Sequence, residues 1–105
     1  MEIVRTKGFE RSVKTIGATE MEIEALEREI IANPEVGDVI KGLKGVRKIR
    51  FAMGSKGKSG GGRAVYLVIR VRDAAYLLLA YAKADQGGLS NAQRKAILAL
   101  LETFK

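Results

Sequence analysis

Lys41 to Arg72 reads KGLKGVRKIRFAMGSKGKSGGGRAVYLVIRVR. It holds ten of the nineteen Lys and Arg residues of a 105-residue chain and no Asp or Glu. Within it, Ile49, Phe51 and Met53 alternate with Lys48, Arg50 and Ala52. That period of two predicts a strand over Val46 to Met53, with Lys48 and Arg50 on the face opposite the apolar set. Gly54 to Gly62, with five glycines, two lysines and two serines, is a loop. Arg63 to Arg72 is a strongly apolar second strand, and Asp73-Ala74 reverses the chain. The stretch is therefore a hairpin carrying a concentrated cationic surface. Phosphate suits such a surface, because fixed cations neutralise phosphates and release their condensed counterions.

The rest of the chain supplies a scaffold for that hairpin. Ala75 to Lys83 (AYLLLAYAK) fits helix or strand by periodicity. The short turn before it and the polar Gly87-Gly88 loop after it decide for a strand. The continuous hydrophobicity of the last two strands places them in the middle of the sheet, covered on both faces. Ser90 to Phe104 is a helix opened by a Ser90/Gln93 capping box and buried along Ile97, Leu100, Leu101 and Phe104. Upstream, Pro34 to Gly45 is rich in turn residues. Thr19 to Asn33 is a helix with a Thr19/Glu22 capping box and an Ile23, Leu26, Ile30 stripe, stopped by Asn33-Pro34. Phe9, Val13 and Ile16 mark a shorter amphipathic helix that Gly17 ends. Met1 to Lys7 is a short edge strand. The predicted order is β-α-α-β-β-β-α. This is a single α+β domain over residues 1–105, a small antiparallel sheet whose late strands form a meander packed with helices.

A formal net charge of +7 favours an anionic partner. The charge is also segregated. Thr19 to Asp38 carries seven acids and one base, Arg28, whereas Lys41 to Arg72 carries only bases. Such asymmetry points to two surfaces, the acidic helix being either a partner contact or a solvated face. The chain has no Cys and no His, which excludes disulfides, thiolate chemistry and the commonest general base and metal ligand. No metal or cofactor is expected. No apolar run reaches membrane-spanning length and Met1 to Phe9 does not resemble a signal peptide, so the expected compartment is the cytosol.

Two motifs compete for the glycine loop. Residues 52–59 (AMGSKGKS) fit the loose pattern of a nucleotide-binding phosphate loop. That loop works by opening a helix whose free amides face the phosphate. Here three glycines and a strand follow, so the nucleotide reading is set aside. The better reading is a flexible cationic loop, Lys56 and Lys58, beside Lys48 and Arg50. A meander would bring Arg63, opening the second strand, and Lys83, ending the third, to the same edge. Like charges crowded together repel, so four cations converging at one place read as an anion site. Tyr66 and Tyr81 are placed to stack on a base, and Tyr76 belongs to the core. On RNA, arginines would stabilise charge building on a phosphodiester attacked by its own 2′-hydroxyl. A lysine crowded by cations, Lys48 above all, loses its proton more readily and can help activate that hydroxyl without a histidine.

The segments NPEVGDVIKG (33–42), GVRKIR (45–50), GKSGGGRAVY (57–66), LLAYAK (78–83) and LSNAQR (89–94) together resemble the RelE/ParE superfamily of type II toxin–antitoxin toxins, closest to the RelE- and HigB-like branch. The resemblance implies a ribosome-dependent, metal-independent endoribonuclease that cuts mRNA in the A site, with mRNA and ribosomal RNA as partners. It implies a cognate antitoxin, with which the chain forms a hetero-oligomer, and a monomeric free toxin. By position, the catalytic cations fall on Lys48, Arg50, Arg63 and Lys83. Arg47, Lys56, Lys58, Tyr66 and Tyr81 are the expected RNA contacts. The C-terminal tyrosine of RelE has no counterpart, since no tyrosine follows Tyr81. The ParE branch shares the fold and inhibits gyrase instead, which leaves a non-nuclease toxin or a plain nucleic-acid-binding module as alternatives.

Overall fold

The computed structural model describes residues 1–104. In chain order the elements are β1 (Glu2–Arg5), α1 (Lys7–Ile16), α2 (Glu20–Ala32), β2 (Asp38–Val39), β3 (Arg47–Phe51), α3 (Gly57–Gly60), β4 (Gly62–Ile69), β5 (Ala74–Ala82) and α4 (Asn91–Glu102). The five strands form one sheet in the order β1-β5-β4-β3-β2. The meander β3-β4-β5 is antiparallel, β2 pairs antiparallel with β3, and β1 runs parallel to β5. The two strands with continuous apolar sequence are thus the inner ones, as their composition requires.

Helices cover both faces. Phe9 and Val13 of α1 and Ile23, Leu26 and Ile30 of α2 pack on one face with Ile49, Phe51, Tyr66 and Leu77. Ile97 of α4 packs on the other with Leu43, Val46, Val65 and Leu78. Leu77 and Leu78, neighbours in sequence, serve opposite cores by ordinary strand alternation, while the β4–β5 register shift at Val65/Tyr66 lets Leu78 and Leu79 both join the α4 core. Fully burying each of the larger side chains contributes about 1.5–3 kcal/mol. Two helices begin where the sequence says, after Thr19 and Ser90, whereas α1 begins at Lys7, inside the predicted first strand. Thr6 accepts from the Phe9 N–H, and Thr19 and Ser90 form capping boxes with Glu22 and Gln93. Gly17, at φ 77°, closes α1 in the left-handed conformation a side chain would resist.

The structure corrects several boundaries. The sheet is mixed, because β1, at the edge as expected, runs parallel to β5. Asp38–Val39 adds a strand within the predicted turn region. The second hairpin strand stops at Ile69, and Arg70–Arg72 form a single 3-10 turn before Asp73, which sits at φ 47°. The glycine loop contains one helical turn, α3, ahead of the strand. That turn fits only because Gly61 and Gly62 lack side chains. A Cβ on Gly62 would lie 2.4 Å from the Phe51 ring, and one on Gly61 2.5 Å from the Gly57 carbonyl oxygen.

Charge joins the N-terminal strand to α2. Arg5 donates to both carboxylate oxygens of Glu27 (2.7 and 2.9 Å) and of Glu20 (2.9 and 2.6 Å). These two glutamates, seven residues apart, fall on one side of α2 two turns apart. The Arg5 hydrogen bonds hold the Glu20 carboxyl below its ordinary value, and backbone N–H groups of Thr19 and Gly54 do the same for Glu22.

Two outcomes follow for stability. Gly62→Ala is expected to cost about 1–3 kcal/mol in urea unfolding, because the Phe51 ring must shift. Carboxyls with lowered folded pKa stabilise fully above the unfolded value of 4.5 and lose that contribution as pH falls through the lowered one. The melting temperature should therefore drop below about that pH, and Arg5→Gln should flatten part of the drop.

Candidate nucleic-acid interface

Residues directly opposite in paired strands share a face of the sheet. Arg50 of β3 is opposite Arg63 of β4, which is opposite Tyr81 of β5. One step away, Lys48 is opposite Val65 and Val65 opposite Leu79. Lys83 follows Tyr81 at the end of β5, and its N–H donates to the Gly61 carbonyl (2.9 Å). The register therefore gathers Lys48, Arg50, Arg63 and Lys83 on the α4 face, at the end where the glycine loop crosses from β3 to β4. The side chains of Lys48, Arg50 and Lys83 make no hydrogen bond or ion pair with any described residue. One carboxylate stands nearby, since Asp38 on the edge strand is opposite Lys48, but no ion pair joins them.

Arg63 behaves differently from the other three. It is 7% exposed, the one charged residue among the buried set. Its Nη1 donates to the Lys58 and Gly62 carbonyls (3.1 and 3.0 Å) and its Nη2 to the Ser59 carbonyl (3.0 Å). Two arginines abreast on neighbouring strands repel. Here the three carbonyl dipoles satisfy one of them, so Arg50 extends into solvent while Arg63 closes over the α3 turn. Arg63 is thus a structural clamp on the loop as well as a fixed positive charge beneath it; its Nε–H donates to none of these carbonyls.

The loop lysines separate. The Lys56 side chain is exposed and without a partner among the described residues. Lys58 turns away from the cationic face and ion-pairs with Glu29 of α2. Glu22, two turns earlier on the same side of α2, accepts from the Gly54 N–H (2.6 Å). The acidic helix thus has its own inward duties. Glu20 and Glu27 hold Arg5, and Glu22 and Glu29 hold the loop.

Three expected RNA contacts lie elsewhere. Tyr66 is fully buried among the α1–α2 core, where its hydroxyl donates to the Pro34 carbonyl and accepts from the Gly37 N–H (2.9 Å each). Burial pushes its phenol pKa up, partly opposed by the Gly37 hydrogen bond. Arg47 shares that face and donates to the Gly37 carbonyl (2.8 Å) and, more loosely, to that of Glu35 (3.3 Å). These two residues fasten the Pro34–Gly37 turn to β3 and β4. Tyr81 is on the cationic face but only 3% exposed, with a buried hydroxyl that has no partner. Burial raises its pKa against the opposing charge of Arg63, which keeps the phenol protonated. Tyr76 is core, as expected, its ring 4.7 Å from that of Phe104. Alternation in β3 was the sequence signal that separates Arg47 from Lys48 and Arg50. Nothing in the sequence marked Arg63 for burial.

A cleft of about 560 Å³ lies between α1, β5 and α4 and is lined by none of the four clustered cations. No helix among the described residues is long and apolar enough to cross a membrane.

The fold matches a double arginine-to-alanine variant of the Escherichia coli toxin RelE in its free state, with TM-score 0.55, 18% identity, and 82% of this chain and 86% of that one covered. It also matches the conserved hypothetical protein HP0892 of Helicobacter pylori, with TM-score 0.55, 14% identity, and 81% and 97% covered. No family model matches the sequence. The chain therefore has the RelE fold.

The clamp is open to direct test. Arg63→Gln removes hydrogen bonds from a charged donor, worth about 1.5–3 kcal/mol together. Amide hydrogen exchange at residues 57–60 should rise in that variant, while α2 amides far from the loop stay protected.

Proposed function

We propose that this chain is the toxin of a toxin–antitoxin pair and that it cleaves mRNA on the ribosome. The observation that supports this best is the cluster of Lys48, Arg50, Arg63 and Lys83 at one end of one sheet face, three of their side chains without a partner among the described residues. Concentrating like charge without a neutralising acid weakens a fold. A bound polyanion reverses that cost.

The chemistry fits RNA. An RNA phosphodiester carries its nucleophile in the adjacent 2′-hydroxyl. Attack on phosphorus forms a 2′,3′-cyclic phosphate and expels the 5′-oxygen, with no metal required. In its amine form Lys48 takes the 2′-hydroxyl proton, and solvent water protonates the departing 5′-oxygen. Arg50 and Lys83 stabilise the phosphate oxygens as negative charge builds. Arg63 places a fixed charge beneath them and holds the loop that borders the site. Lys56 contacts the backbone of mRNA or ribosomal RNA. The ribosome would orient the mRNA strand, supplying the positioning that so open a face lacks. A cognate antitoxin would neutralise the free toxin.

Purified protein should cut mRNA on programmed ribosomes, and Lys48→Ala or Arg50→Ala should slow single-turnover cleavage by about 10²-fold or more with the fold intact by circular dichroism. Full cleavage by both variants removes these residues from the chemistry. Inhibition of DNA supercoiling by gyrase with no mRNA cleavage would replace the nuclease reading altogether.

A further inference from the structure

Glu29 and Glu22 act on the glycine loop from the side opposite the cationic face. The loop is held at three points: the Gly54 N–H on Glu22, the Lys58 ammonium on Glu29, and the Lys58 and Ser59 carbonyls on Arg63. The first two points are carboxylates, and they sit seven residues apart on one side of α2. Lys58 is the only loop lysine they reach. Its side chain is 58% exposed and that of Glu29 33% exposed, so the pair lies at the surface, where a phosphate can compete. Lys56, two residues earlier, has no such partner among the described residues.

Resting on the nuclease reading of the cationic face, we infer that Glu29 is a resident stand-in for phosphate. In the free protein it occupies Lys58, and RNA binding transfers Lys58 from the Glu29 carboxylate to the RNA backbone. The two states exclude each other, because one ammonium cannot be directed to α2 and to the opposite side of the loop at once. Glu22 is the hinge that stays: its contact is to backbone at Gly54, where the loop begins, and does not depend on Lys58. The α3 turn moves between these anchors, with Gly57 and Gly60 flanking Lys58 and Ser59. Glu29 is thus a positioning residue that sets how strongly the loop engages nucleic acid.

The test is a double-mutant cycle on RNA binding. A fluorescein-labelled single-stranded RNA oligonucleotide is titrated with wild type, Glu29→Gln, Lys58→Gln and the double variant at low ionic strength. Glu29→Gln should tighten binding about three- to ten-fold, a range set by one surface ion pair. It should also raise hydrogen exchange at residues 57–60. In the Lys58→Gln background the same substitution should change affinity less than two-fold. Equal tightening in both backgrounds assigns the effect to net charge and overturns the handover. So does loosening of the loop with unchanged affinity. If wild type binds RNA and Glu29→Gln has no effect, the handover alone fails. If wild type binds no RNA, the nuclease reading fails and takes the handover with it.

Discussion

The pairing of β4 with β5 is the constraint on which the molecule depends. Eight residues of β4 are matched to β5 across a register shift at Val65/Tyr66. By alternation alone Leu78 and Leu79 would face opposite sides; the shift turns both towards the α4 core. With this pairing, α1 and α2 are sealed to one side and α4 to the other, and the ends of β3, β4 and β5 come level. The cationic cluster is a by-product of that levelling. Arg50, Arg63 and Tyr81 are abreast because three strands end together, and Lys83 follows in the turn after β5, its N–H on the Gly61 carbonyl.

A second constraint is electrostatic. A chain of net charge +7 must keep its cations from disrupting its own fold. It does so by sorting them. Arg5 is held by Glu20 and Glu27, Lys58 by Glu29, Arg47 by the Pro34–Gly37 turn and Arg63 by loop carbonyls. Arg72 lies about 6 Å from the ring centres of Tyr76 and Phe104. Among the described residues the side chains of Lys48, Arg50, Lys56 and Lys83, around one end of the sheet, are left without a partner, as are other exposed cations such as Arg11 and Lys95. The acidic helix that looked like a second external surface is largely an internal counterweight. Four of its five glutamates fall into two pairs seven residues apart, one pair for the N-terminal strand and one for the glycine loop.

The strands, helices and caps were legible because each has a local cause. Alternation in β3, continuous apolar runs in β4 and β5, and the Thr19/Glu22 and Ser90/Gln93 boxes all act within a few residues. The sharing of one face by Lys48, Arg50, Arg63 and Lys83 followed from the meander alone. What stayed hidden depends on contacts far apart in sequence. No local pattern says that β1 runs parallel to β5, that Tyr66 hydrogen-bonds a turn 32 residues earlier, or that Arg63 folds back on its own loop. Composition was also misleading where one residue type had two uses. Tyr66 and Tyr81 read as stacking platforms, yet one is sealed in the core and the other is covered beside Arg63.

The parallel docking of β1 has a consequence for the way the chain assembles. The antiparallel strands join neighbours through short connections, so their pairing closes small loops. Pairing Ile3 with Ala75 closes a loop of most of the chain. Loop-closure entropy grows only slowly, about 0.6 kcal/mol per doubling of length, but it must be met before the contact gives anything back. The meander can therefore exist before β1 arrives, and the N-terminal strand completes a sheet already in place. Its latches suit a late arrival: the Glu2 N–H on the Asp73 carbonyl at one end and the Thr6 hydroxyl on the Leu77 carbonyl at the other. On that order the cationic face takes shape first, and the strand whose arginine steadies the acidic helix is added last.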